Sequence, residues 1–125
     1  MISFPIGSCV FWEETGVGMW SGTVKDRYML GGLCITVQID GVVVPVDLAT
    51  PAKAWTNWKG PGKFECYITA VPASQLKVRQ PDADDAEKRN VWESAMASAA
   101  EAAGVPARQK AETAALQLLQ YNRVN

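Results

Sequence analysis

A chain of 125 residues with 48% hydrophobic and 20% charged side chains has enough apolar material for one packed core, which excludes wholesale disorder. A net charge of −1 argues against a binder of polyanions that works by bulk charge, and the lack of any histidine excludes Cys/His zinc chemistry. No apolar run approaches the ~18 residues that span a bilayer, and MISFPIGSCVFW has no basic leader, so a cytoplasmic protein without a membrane partner is expected.

The charge is unevenly placed. Residues 1–50 carry two basic and five acidic side chains, residues 51–79 five basic and one acidic, and residues 80–125 five basic and seven acidic. Any anion site must therefore be local.

In chain order, Pro5-Ile6-Gly7 leads into a first strand over Ser8–Glu13, and Glu14-Thr15-Gly16 turns it into a second over Val17–Lys25. Asp26-Arg27 reads as a charge pair at that strand's end. Gly31-Gly32 breaks the chain before a third strand, Leu33–Ile39. Asp40-Gly41 then predicts a tight hairpin into a fourth, Val42–Asp47, where Pro45 implies an unpaired edge. Thr50–Gly62 has no period of two or of 3.6 and reads as a long loop, with one helical turn near Lys53–Trp58. Lys63–Ala70 resumes as a strand with Phe64, Cys66 and Ile68 on one face. Pro72-Ala73-Ser74 turns it, and Leu76–Arg79 is a short last strand.

Then the pattern turns helical. Asp84-Asp85-Ala86-Glu87 has the form of a capping box, its acids suited to a helix N-terminus. The helix should run to Ala103, with Gly104 as its left-handed stop. Pro106 opens a second helix to about Asn122. The first stripe is Trp92, Met96, Ala99 and Ala103; the second is Ala107, Ala111, Ala114, Leu118 and Tyr121. Such small faces bury little area each, so the helices should dock on the sheet, on a second copy, or on both.

Cys9, Cys34 and Cys66 lie far apart inside expected strands, as buried reduced thiols do. The acidic group Asp82, Asp84, Asp85 and Glu87 is explained by capping without a metal. No Gly-x-Ser-x-Gly or phosphate loop is present, and no cofactor is implied. Two groups combine flat rings with cations. Trp55, Trp58, Lys59 and Lys63 suit a nucleobase, a nucleotide or a protein hot spot, unless the indoles turn inward as core. Arg89, Trp92 and Arg108 suit an anion at an oligomer seam, unless Trp92 anchors the helices to the sheet.

The run Gly7-Ser8-Cys9-Val10, Trp20-x-Gly22-Thr23-Val24 and Val42–Leu48 resembles SH3-like barrels, over roughly the first half of the chain. The plasmid-encoded trimethoprim-resistant dihydrofolate reductases are one such barrel, with a Val-Gln-Ile-Tyr substrate strand. Here Val37-Gln38-Ile39-Asp40 lacks the aromatic residue and that activity is not implied. In layout, strands first and two helices after, the chain is similar to phage Thoeris anti-defence proteins, which sequester cyclic nucleotide signals at oligomer seams.

Together these readings predict an α+β protein: an SH3-like antiparallel barrel or bent sheet of five or six strands over residues 1–80, then a two-helix hairpin over 81–125. The expected function is non-catalytic: a phage or mobile-element accessory protein that sequesters a small nucleotide-like anion or blocks a protein partner, as a homo-oligomer built through the C-terminal helices. The alternative is a nucleic-acid-binding module that uses the basic stretch 51–79.

Overall fold

Alternation of apolar and polar residues builds six strands, and a computed structural model describes residues 4–43 and 48–105. The elements are β1 (Cys9–Glu14), β2 (Gly18–Met29), β3 (Leu33–Ile39), β4 (Trp55–Gly60), β5 (Lys63–Pro72), β6 (Lys77–Val78) and helix α1 (Asp85–Ala102). A 3-10 turn, Ala73–Gln75, joins β5 to β6. The six strands form one antiparallel sheet in the order β4-β5-β3-β2-β1-β6. This is an open sheet with β4 and β6 at its edges. The second expected helix, 106–122, lies outside the described residues.

One face of β1, β2, β3 and β5 feeds a single core, against which Trp58 of β4 is packed. Val10, Trp12, Trp20, Val24, Ile35, Val37, Ile39, Phe64, Cys66 and Ile68 are all buried there. Trp12 and Trp20 are direct cross-strand partners, with ring centroids 6.5 Å apart. Helix α1 packs chiefly on β5, with less contact to β4, and closes the core with Trp92, Ala97 and Ala100. Each large apolar side chain so buried contributes roughly 1.5–3 kcal/mol. α1 is not long and apolar enough to cross a membrane.

Several expectations are corrected. The stretch Trp55–Gly60 is a strand, closed onto β5 by Pro61-Gly62, with Gly62 at φ +72°. Its two tryptophans stand three residues apart and so fall on opposite faces, which hides the alternation. Asp40-Gly41 does not start a hairpin on β3, because β5 and β2 occupy both sides of that strand. Val42 and Val43 lie in a bend, and residues 44–47 of the expected fourth strand fall outside the described residues. β2 runs on to Met29, so Asp26 and Arg27 sit within a strand rather than at its end.

At α1 the capping box does not form: Asp84 makes no side-chain cap bond and pairs instead with Lys88 at 3.4 Å. Asp85 turns back to Arg79 (2.6 Å) and accepts the Asp82 N–H (3.0 Å). Gly104, at φ +75°, does terminate the helix. The buried stripe is rotated from the expected one: Ala97 and Ala100 face inward beside Trp92, while Ala99 and Ala103 are exposed.

Two extra residues interrupt the pairing. Between Val24 and Asp26, β2 carries Lys25 as an added residue against β3. Between Ile68 and Val71, β5 holds Thr69 and Ala70 opposite one residue of β3, and Ala70 adopts φ +57°. Bulges of this kind bend a strand and re-aim its side chains.

Candidate functional site

The β4–β5 ribbon sorts the first predicted group into two faces. Trp55 pairs directly with Tyr67, and Asn57 with Glu65, so these four share the outward face. Thr56 with Cys66, and Trp58 with Phe64, take the other. Trp55 is 50% exposed, and its ring stacks on Tyr67 with centroids 4.6 Å apart and 18° between planes. Lys59 joins this surface through Glu65, 3.8 Å away, and exposed Lys63 lies two residues before Glu65 on the same strand. Burial raises the Tyr67 phenol's pKa, and the charge of Glu65 and the hydrogen bond the phenol gives it raise it further. Trp58 is half-buried and donates its indole N–H to Glu101 of α1 at 3.2 Å. Three of the four residues therefore meet on one surface and Trp58 ties the ribbon to the helix.

The second predicted group is not brought together. Trp92 is 5% exposed, packed against the Gly41 backbone and edge-on to Phe64 at 6.2 Å. Its buried N–H finds no hydrogen-bond partner among the described residues. Arg89 instead reaches toward Asp40, with Nη2 4.0 Å from Oδ2. Arg108 lies outside the described residues.

Asp40 is the residue that sequence reasoning places wrongly, as a simple turn former. It is 2% exposed. Its Oδ1 accepts the Ser21 hydroxyl at 2.7 Å and the Val42 N–H at 3.0 Å, and Ser21 Oγ accepts the Val43 N–H at 2.8 Å. Its Oδ2 is buried and has no hydrogen-bond donor among the described residues. Beside it opens a cavity of about 260 Å³, lined by Thr23, Lys25, Gln38, Asp40, Arg89 and Glu93. Gln38 pairs with Tyr67 on one side and Thr23 on the other, so this cavity begins one strand away from the aromatic stack. Burial pushes the Glu93 carboxyl up; Arg89 opposes this, while the charges of Glu65 and Asp40 add to it. The available signal was the Arg89–Glu93 spacing of four, which puts both on one side of a helix next to Trp92.

A separate cavity of about 450 Å³ lies at the bulged end of β5, between Trp12, Lys53 and Ala70. Cys34 and Cys66 are buried as expected; Cys9 is only half-buried, and desolvation pushes the Cys66 thiol up to about 12. Among the described residues no group of three or more Cys, Asp or Glu is arranged to hold a metal ion. Compared with protein-family models, with curated proteins and with solved structures, the chain matches none.

Proposed function

We propose that this chain is a non-catalytic binding protein whose task is to hold a small, ring-bearing anion on the outward face of β4 and β5. The observation that carries the reading is Trp55, an indole half open to solvent and yet held against Tyr67, with Lys59 and Lys63 on the same ribbon. A ring already stacked at the surface loses little further freedom on contact with a ligand, and with Lys59 shared with Glu65, the ammonium of Lys63 leaves this face a net positive charge. Sequestration is the kind of work this implies, as in the phage anti-defence proteins that the layout resembles. Assembly of copies through the helical part belongs to the same reading, because α1 leaves Val91 and several alanines exposed.

The nucleic-acid reading, an SH3-like module working through 51–79, needs one continuous basic surface. The sheet order puts Lys59 and Lys63 by the β4 edge and Lys77 and Arg79 by the β6 edge, and Arg79 is engaged by Asp85. Support therefore goes to the small ligand.

Titration of nucleotides while following tryptophan fluorescence tests this. Saturable quenching by ring-bearing anions, weakened in Trp55→Ala, is expected. Binding of nucleic acid alone, falling steeply with salt through counterion release, would favour the other reading. Light scattering that gives a monomer at micromolar concentration would remove the assembly.

A further inference from the structure

The cavity beside Asp40 carries its own chemistry, independent of the aromatic face. We propose that it binds a compact zwitterion of the free α-amino-acid type, whose ammonium group bonds Asp40 and Glu93 while its carboxylate is held by Arg89 and Lys25.

Three observations point there. First, Asp40 Oδ2 is an acceptor buried out of water, and the nearest cation, Arg89 Nη2, stops at 4.0 Å, too far to hydrogen-bond it. A buried carboxylate oxygen left in this state is costly, and a donor brought by a ligand removes the cost. Second, the cavity's ionisable walls are two cations, Lys25 and Arg89, against two carboxylates, Asp40 and Glu93. A ligand with one charge of each sign leaves no group unmatched. A phosphate would face both carboxylates, and a divalent cation would face both cations. Third, about 260 Å³ is below the usual range for drug-sized ligands and suits a small molecule.

The fold places these groups deliberately. The extra residue in β2 is Lys25 itself, and it lines this cavity. Asp40 cannot turn away, because Ser21 and Val42 hold its other oxygen. Arg89 has a side chain 36% exposed, so its guanidinium is free to move toward the ligand carboxylate and leave Oδ2 to the ammonium group. Bidentate contact with a carboxylate is the geometry a guanidinium favours. Gln38 and Thr23 supply neutral donors and acceptors at the rim.

The test is calorimetric titration of the full chain with each of the twenty standard amino acids. At least one is expected to bind with one site per chain. Its N-acetyl derivative, without the ammonium group, and the corresponding amine, without the carboxylate, should each bind at least about tenfold more weakly. Glu93→Gln and Lys25→Gln, each folded by circular dichroism, should show a similar loss. Trp55→Ala should bind the amino acid unchanged, which keeps this result separate from that of the aromatic face. No binding at millimolar amino acid would overturn the proposal. So would equal binding of the acetylated or decarboxylated compound, insensitivity to both substitutions, or a loss in Trp55→Ala.

Discussion

The Trp92 side chain rests directly on the backbone of Gly41, so that a Cβ at position 41 would overlap its Cβ, Cγ and Cδ1 atoms, closer than the 3.0 Å that real Cβ atoms keep. Gly41 also sits at φ +67°, where side chains are strained. Gly41→Ala should therefore lower stability by roughly 2–5 kcal/mol, from overpacking and backbone strain together. A denaturant midpoint equal to that of the wild type would show that α1 does not dock as described.

Trp55 and Trp92 should respond in opposite ways to truncation. Trp92→Ala empties a core site and should cost about 3–5 kcal/mol of stability. Trp55→Ala removes one surface stack, typically ~0.5–1.5 kcal/mol, while the bound ring anion loses a partner worth ~1–3 kcal/mol. The first should appear in thermal melts and the second as a roughly ten- to hundredfold rise in Kd.

Ser21 works at both ends of its hydroxyl, donating to Asp40 and accepting from Val43. Ser21→Ala leaves the part-buried Val43 N–H without its acceptor and leaves Asp40 Oδ1 with the Val42 N–H alone, at a cost of ~1–3 kcal/mol. Ser21→Thr keeps the hydroxyl and is a useful comparison. Urea titration of the two variants should rank them in that order, with alanine the less stable.

The sequence is legible where one face of a strand is apolar and the other is not. Leu33–Ile39 matches β3 to the residue, and the helix from Asp85 is placed within a residue or so of its observed end. It fails where local grammar has two meanings. Asp-Gly is a hairpin signal, yet here the Asp side chain folds onto Val42 N–H and Ser21 while the neighbouring strand positions are already filled. The candidate cavity was still less visible. Thr23, Gln38 and Glu93 belong to three elements distant in sequence, and only the pairing register and the docking of α1 bring them together. Trp55, Lys59 and Lys63 were legible because they are nearly adjacent on one hairpin.

Acid should weaken the fold through Asp85. The hydrogen bonds from Arg79 and from the Asp82 N–H hold its carboxyl below the ordinary value of 3.8. The folded state thus releases this proton more readily than the unfolded one, so the contribution is complete well above that ordinary value and is lost progressively as pH falls below it and through the lower folded-state value. Asp85→Asn should flatten the acid limb of the stability curve. Glu93 acts in the other direction. Its raised pKa means that ionisation opposes folding, so Glu93→Gln should raise the midpoint at neutral pH and have no such effect in acid.

The cysteines should separate by reactivity. Cys66 is fully buried, with its thiol pushed up to about 12, whereas Cys9 is half-buried. Alkylation at mildly alkaline pH, read by mass spectrometry, should mark Cys9 first and Cys66 last, and all three together once denaturant is added. Early labelling of Cys66 in the native protein would contradict the packing of β5.

β6 has a kinetic meaning out of proportion to its two residues. The hairpins β1–β2, β2–β3 and β4–β5 each join neighbours in sequence, but Val10 pairs with Val78 across most of the sheet-forming chain. Such a long closure is slow to nucleate. Arg79 then follows β6 at once and grips Asp85, so the sheet's last pairing and the helix's arrival become one event.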